Sequence, residues 1–247
     1  MARRRIHYAL LFAAFVLFLS GCSSSQQLKP IDPANGIWDH YFVYPLSWLL
    51  NWFAGQLWGS YGLSILVVTI IIRLIVLPLT LKQYRSSKAM QAIQPEMAKI
   101  KEKYKDNPQK QQEETMKLFQ KSGVNPLAGC LPLLVQMPIL IALYNAIMRN
   151  SEISQHTFLW MQLGTPDPYY VLPTLAAITT WLQQKVMGSQ MNPQMRSLMI
   201  IFPVLIFVMS MSFASALPLY WVYSNLFTVV QSYFLYGRPN QKGELSK

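Results

Sequence analysis

The chain contains stretches of sequence that are too long and too free of charge for a soluble domain. Residues 197–237 form one run of 41 residues without Asp, Glu, Lys or Arg. A helix needs about 20 mostly apolar residues to cross a bilayer, so this run is long enough for two. Charged residues make up only 13% of the chain, whereas soluble proteins have about 25%. The sequence therefore predicts an all-α membrane protein with several spans.

Five segments have the length and the low charge of transmembrane helices. They are residues 61–82, 127–149, 169–185, 197–213 and 218–236. An outer loop, residues 150–168, joins the second span to the third, and a cytoplasmic loop, residues 186–196, joins the third to the fourth. Arg73 is the only charged residue that lies away from the ends of these spans.

The N-terminus has the pattern of a lipoprotein signal. Three arginines at positions 3–5 precede an apolar run at residues 10–19, and Ser20-Gly21-Cys22 comes directly after it. This order predicts a signal peptide over residues 1–21. Cys22 would then be lipidated and begin the mature chain, with residues 22–35 as an extracytoplasmic linker. The alternative is an ordinary signal peptide in which Cys22 is incidental.

The basic residues predict the orientation of the chain. With Cys22 outside and five spans, residues 82–126, 185–196 and 237–247 face the cytoplasm and hold fifteen of the 21 Lys and Arg residues. The outer segments hold two, which agrees with the excess of positive charge found in cytoplasmic loops. The protein is therefore predicted in the bacterial plasma membrane, with a basic tail at 237–247 inside. The net charge of +11 then needs no nucleic-acid partner.

Two further helical regions are predicted outside the spans. Residues 36–54 are rich in Trp and Tyr, which favour the headgroup zone, and predict an amphipathic helix in the outer interface. Residues 83–126 predict an antiparallel helical hairpin in the cytoplasm. Its first helix carries a seam with heptad spacing and its second helix a matching stripe: Met90, Ile93, Met97, Ile100 and Tyr104, then Gln112, Thr115, Met116 and Phe119. The alternative is a solvated loop whose lysines only fix the topology.

Arg73 is the candidate functional residue. It lies about 16 Å into the membrane, where a charge costs about 3 kcal/mol or more. No span contains an acidic residue to pair with it, which predicts a hydrated polar groove inside the bundle. The polar residues that could line this groove are Gln136, Tyr144, Thr180, Gln183, Gln184, Trp221, Ser224, Asn225, Thr228 and Ser232. Taken singly, each of them could equally join helices by hydrogen bonds.

The sequence contains no sign of an enzyme. Two Cys and three His are too few and too scattered for a metal site, and no nucleotide-binding loop or nucleophile–base pattern is present. We therefore predict no catalytic residue, no metal and no cofactor. An unpaired cation in a wet groove attracts acidic groups, so it could hold the acidic end of a polypeptide during membrane insertion. The alternatives are an anion channel or transporter that uses Arg73, and a passive scaffold that holds partners through the hairpin.

Several motifs in order resemble the YidC/Oxa/Alb membrane protein insertases. They are YGLS at 61–64, TIIIRL at 69–74, QYRSSKAM at 83–90, QPEM at 94–97, GVNPLAGCLP at 123–132, QMPI at 136–139, and LYW at 219–221 with NL at 225–226. The resemblance covers about residues 36–236. With the predicted lipid anchor, the chain is similar to the lipoprotein-type members of single-membrane bacteria, which include a sporulation paralogue.

This resemblance implies a five-span core whose groove opens to the cytoplasm and to lipid and is closed outside. The family's positive residue falls on Arg73, and its groove tryptophan falls on Trp221. Its groove glutamines fall on Gln136 and on either Gln183 or Gln184. The implied partners are nascent membrane proteins, the lipid bilayer, the Sec translocon and the ribosome. The short tail at 237–247 implies weak docking to the ribosome, and Cys130 is expected to be structural.

Overall fold

The computed structural model describes residues 29–124, 131–187 and 193–236. The predicted signal peptide, Cys22, Cys130 and the basic tail at 237–247 lie outside the described residues, so the lipid anchor and the orientation of the ends stay predictions. The described helices and strands all belong to one compact unit, which begins at Ile31.

The described part of the chain is mostly helical. A π-helical segment, Asp39–Val43, leads into α1 (Tyr44–Gln56), and the other helices are α2 (Tyr61–Ala92), α3 (Gln94–Lys103), α4 (Pro108–Ser122), α5 (Leu131–Met148), α6 (Ser151–Gln155), α7 (Val171–Met187), α8 (Pro193–Ser210) and α9 (Ala216–Tyr236). Two short antiparallel strands, β1 (Thr157–Phe158) and β2 (Met161–Gln162), lie between α6 and α7.

Helix α2 is the only described helix that is both long enough and apolar enough to cross a membrane. Shorter apolar stretches occur at Val135–Met148 in α5 and Ile201–Ser210 in α8. Five spans therefore remain a prediction. Helix α2 starts after Ser60, whose hydroxyl accepts a hydrogen bond from the Leu63 amide. Its 32 residues extend for about 48 Å, which is more than the thickness of a bilayer core.

Residues 83–92, which the sequence assigned to the hairpin, continue α2 as one helix. No residue in this segment disfavours a helix, so the chain leaves the predicted span without a break. The break comes at Ile93, because Pro95 in the first turn of α3 has no amide proton to donate back to α2.

Helices α3 and α4 pack against each other through a small apolar cluster. Its members are Ile93, Leu118 and Val124, with Met90, Met97, Ile100 and Phe119 around them. The stripe predicted for the second helix was wrong at two positions, because Gln112 and Met116 face solvent. Leu118 is buried instead, because α4 is rotated so that this side chain faces α3.

The main apolar core lies where α2, α7 and α9 begin and where α5 ends. It includes Ile65, Val68, Leu143, Ile147, Leu172 and Tyr220. We call residues 149–170 the connector, and three of its side chains, from Ile153, Met161 and Leu163, are also in this core. The Thr165 carbonyl accepts hydrogen bonds from both the amide and the hydroxyl of Ser215, just before α9. The connector thereby covers the end of the bundle at which the core lies.

The π-helical segment and α1 form one amphipathic unit. Val43, Ser47, Leu50 and Ala54 are buried, and α1 packs against α2 and α5. Tyr41, Tyr44, Trp48 and Trp52 are exposed on the other side. The unit therefore has the aromatic outer face that an interfacial helix requires, and its place at the membrane surface stays a prediction.

A buried ion pair joins this unit to the end of α5. Arg149 Nη1 donates to Asp39 Oδ1 at 2.7 Å, and Nη2 donates to Oδ2. The side chains of Arg149 and Asp39 are only 10% and 8% exposed. The hydrogen bonds from Arg149 hold the pKa of the Asp39 carboxyl below its usual range, although burial acts in the opposite direction. The pair is therefore charged and paired at neutral pH.

Candidate functional site

Arg73 lies in the middle of the apolar part of α2 and reaches across to α9. It is twelve residues after the start of the helix, which corresponds to about 18 Å along the axis. Its Nε donates to the Ser224 hydroxyl at 3.0 Å, and its Nη2 donates to the same oxygen. None of the three ion pairs found in the described residues includes Arg73. A neutral hydroxyl therefore supports the cation, and its charge is not balanced by a carboxylate of the described chain.

Gln136 lies in the first half of α5 and also reaches α9. Its Nε2 donates to the Tyr220 hydroxyl at 2.6 Å. Tyr220 is only 1% exposed and lies one helical turn before Ser224, the residue that holds Arg73. Gln136 and Arg73 are thereby held beside the same turn of α9.

Tyr220 is a member of the site that was not predicted from the sequence. The signal was present, because Tyr220, Ser224 and Thr228 are spaced by four residues and therefore lie on one face of a helix. Tyr220 lies at the start of α9 and its side chain is part of the main apolar core. Its hydroxyl nevertheless provides the partner for Gln136.

Asn225 joins α9 to α7. Its Nδ2 donates to the Thr180 hydroxyl at 2.8 Å and to the Thr179 hydroxyl at 3.1 Å, in a buried environment. Thr228 is also buried, and its hydroxyl donates to the Ser224 carbonyl of its own helix at 2.9 Å. For Asn225 the structure shows the helix-joining hydrogen bonds that were the alternative to a groove lining. The hydroxyl of Thr228 bonds within its own helix and joins no other helix.

The remaining predicted site residues lie around this layer. Trp221 is partly buried between the main core and a second cluster of Ala176, Ile206 and Val222. Gln183 and Gln184 lie in the last turns of α7 and are both partly buried. Gln184 Oε1 is buried and accepts no hydrogen bond within the described part of the chain. The choice between Gln183 and Gln184 as the groove residue stays open.

Helix α9 is therefore the centre of a polar layer. Tyr220, Ser224 and Asn225 connect it to α5, α2 and α7 respectively. These three residues span about 7.5 Å of helix. On the connector side of the layer lies the apolar core, whereas α2 has no fully buried residue between Ile70 and Ala92. Along α2 the packing is thus tight on the connector side of Arg73 and looser on the other.

The hydrogen bond between Gln136 and Tyr220 gives the first testable prediction. Gln136→Leu and Tyr220→Phe should each lower the free energy of unfolding in detergent micelles, and the double variant should lose less than the sum. We expect a coupling free energy of about 0.5–1.5 kcal/mol, the usual net contribution of one such bond. Tyr144→Phe, about 12 Å along α5 from Gln136, is the control and should combine additively with Gln136→Leu. Additive losses for the Gln136 and Tyr220 pair would contradict the bond.

A family model matches most of the chain, and several curated relatives match almost all of it. The model described as "60Kd inner membrane protein" matches residues 52–242. "Membrane protein insertase MisCA" of Bacillus subtilis (strain 168) is 51% identical over 249 residues, covering 98% of this chain and 95% of that protein. "Membrane protein insertase YidC 2" of Bacillus anthracis is 51% identical over 243 residues, covering 95% of this chain and 94% of that protein.

One solved structure has a similar fold. It is described as "Active YidC insertase crystal structure with the first transmembrane domain resolved". The match has a TM-score of 0.64 and 28% sequence identity, and it covers 81% of this chain. The chain spans about half of that protein, 47% of its length.

Proposed function

Because the chain belongs to the YidC family of membrane protein insertases, we propose that it inserts nascent membrane proteins into the bacterial plasma membrane through a polar groove around Arg73. In this proposal α2, α5, α7, α8 and α9 are the five spans. The α3–α4 hairpin lies in the cytoplasm, and α1 lies in the outer interface. The chain would work alone or with the Sec translocon, with clients delivered by the ribosome, and would also help them fold. Cys22 would carry the outer lipid anchor, and residues 237–247 would end inside.

The observation that carries the proposal is that Arg73 has unused hydrogen-bond donors and no carboxylate partner among the described residues. In the described part of the chain, one neutral hydroxyl, that of Ser224, holds its guanidinium within an apolar helix. A guanidinium has five N–H donors, so one acceptor leaves most of its capacity unused. A client carboxylate could accept two parallel hydrogen bonds from it, and such charge-assisted pairs are about twice as strong as neutral ones. Arg73 is therefore suited to hold an acidic group of a passing polypeptide for a short time.

This pairing would lower the barrier to moving a hydrophilic segment across the membrane. The segment would spend part of its path beside Arg73 and the polar layer rather than in lipid. The apolar segment of the client would leave sideways into the bilayer and gain roughly 25 cal/mol for each Å² transferred from water. The membrane potential would further favour outward movement of acidic residues. No covalent step or nucleotide is needed in this mechanism.

Insertion by proteoliposomes tests the role of Arg73. Two single-span clients should be compared, one with acidic residues in its translocated segment and one with the matching amides. Arg73→Ala is expected to slow insertion of the acidic client roughly tenfold to a hundredfold, the value of a hydrogen bond to a charged group. The neutral client should change little, and Arg73→Lys should keep most of the activity on the acidic client.

Three other outcomes would contradict this proposal. Equal insertion of the acidic client by wild type and Arg73→Ala would show that the arginine does not hold carboxylates. Steady anion flux through client-free proteoliposomes would favour a channel. Loss of insertion when residues 94–122 are replaced by a short linker, with Arg73→Ala still active, would favour a scaffold that acts through the hairpin.

A further inference from the structure

Gln231, on the last turns of α9, is partly buried, and its amide nitrogen has no hydrogen-bond partner among the described residues. Its Nε2 is buried, yet it donates no hydrogen bond to any residue in the described part of the chain. An amide donor removed from water without an acceptor is unfavourable, and such groups are rare in folded proteins. Gln231 is not among the residues predicted to line the groove, and it is not a member of the main apolar core.

The helical position of Gln231 places it on the same stripe as Ser224, which holds Arg73. Gln231 is seven positions after Ser224, and seven residues make nearly two full turns of a helix. Both side chains therefore leave α9 on one face. Tyr220 and Thr228, four residues to either side of Ser224, belong to this stripe. Gln231 lies about 10.5 Å further along the helix axis than Ser224. It is on the side of Arg73 away from the connector, where α2 has no fully buried residue.

We propose that Gln231 is a second client-binding residue, at which the amide donates a hydrogen bond to the main chain of the hydrophilic segment. This inference rests on the proposed function, because it takes the stripe of α9 as the path of that segment. In the proposed orientation α9 runs from outside to inside. A polypeptide from the cytoplasm therefore meets Gln231 before it reaches Arg73.

The chemistry of the amide favours the main chain as its partner. Every residue of a client in transit carries a carbonyl acceptor, and wherever water does not reach this acceptor it needs a donor from the protein. A neutral amide donor satisfies such a carbonyl whatever the neighbouring side chains are. Arg73 selects carboxylates, whereas Gln231 would hold segments of any sequence. The two residues would therefore act on different features of the same client.

Disulfide crosslinking tests where the client lies. In a chain with Cys130→Ser, we would introduce Gln231→Cys or, as the matched control, Val230→Cys. Val230 is at the same depth but is 56% exposed on another face of α9. Oxidation during insertion of a client with a single cysteine in its hydrophilic segment should trap the client at position 231 at least fivefold more than at position 230. Equal or lower trapping at position 231 would overturn the inference.

Insertion rates separate this role from that of Arg73. Gln231→Leu should slow clients with a long hydrophilic segment about fivefold, the value of one neutral hydrogen bond, and by the same factor whether that segment is acidic or neutral. Gln231→Asn keeps the amide and should recover part of the rate. If Gln231→Leu inserts both clients at the wild-type rate while Arg73→Ala discriminates between them, the inference fails and the proposed function stands. If Arg73→Ala does not discriminate, the proposed function itself fails.

Discussion

Asp39→Asn is expected to lower the free energy of unfolding in detergent by about 3–5 kcal/mol, the usual cost of removing one partner from a buried ion pair. The Arg149 guanidinium would stay buried, with its side chain only 10% exposed. An amide in place of the carboxylate offers a single acceptor oxygen and no charge. Because this pair holds the π-helical segment against the end of α5, the loss should also loosen α1 from the bundle. Chemical unfolding followed by tryptophan fluorescence would measure both effects, since α1 contains Trp48 and Trp52.

The pH dependence of this loss is set by the lowered pKa of Asp39. Hydrogen bonds from Arg149 keep the folded pKa below the value of about 4 that an aspartate has in an unfolded chain. The stabilisation is therefore fully present above about pH 4 and is lost as the pH falls through the lower folded pKa. The difference in unfolding free energy between wild type and Asp39→Asn should be constant from neutral pH down to about pH 5 and should shrink in stronger acid.

The ion pair of Glu113 with Lys117 provides the control. It joins two exposed side chains one turn apart on α4, and exposed pairs of this kind often contribute nothing measurable. Glu113→Gln should leave the unfolding transition unchanged at all pH values where the protein is folded. A loss for Glu113→Gln equal to that for Asp39→Asn would show that burial does not set the strength of these pairs.

Local patterns predicted much of what the structure contains. Uncharged runs predicted helices where α2, α5, α7, α8 and α9 now lie, and the family resemblance is confirmed by the relatives and the family model. Four of the five predicted seam residues, Met90, Ile93, Met97 and Ile100, lie in the cluster between α3 and α4, whereas Tyr104 is not a member of it. These predictions succeeded for one reason. The composition and periodicity of a segment determine where its own helix lies and which face of it is apolar, without reference to other helices. The number of spans and the roles of the site residues stay predictions.

Contacts between distant helices could not be derived in the same way. Arg73 and Ser224 are 151 positions apart, and nothing local to either residue specifies the other. The position of Asn225 on a polar stripe was evident, but its pairing with Thr179 and Thr180 depends on how α7 and α9 pack. The same holds for Gln112 and Met116, whose exposure depends on the rotation of α4 against α3. Sequence patterns identify a polar face, and only packing shows which of its members are used to join helices.

Gly62→Ala is expected to lower the free energy of unfolding by about 1–3 kcal/mol, the usual cost of overpacking. Gly62 is in the first turn of α2, and the ring of Phe158 in β1 lies directly against it. A Cβ at position 62 would overlap Cγ of Phe158. Cγ does not move when the ring turns about the Cβ–Cγ bond. Relief therefore requires Phe158 to adopt another χ1 rotamer within a packed core or β1 to shift.

The sign of this change is what makes it informative. An Ala in a helix is favoured over Gly by about 1 kcal/mol, so helix propensity alone predicts that Gly62→Ala stabilises the protein. Gly55→Ala in α1 is the control, because nothing lies within 4 Å of a Cβ there and only the propensity term acts. We expect Gly55→Ala to stabilise and Gly62→Ala to destabilise, and the double variant Gly62→Ala, Phe158→Ala to lose less than the sum of its parts. Stabilisation by Gly62→Ala would contradict the contact.

Because β1 is part of the connector that covers this end of the bundle, Gly62→Ala proteoliposomes should also leak small anions that the wild type and Gly55→Ala retain.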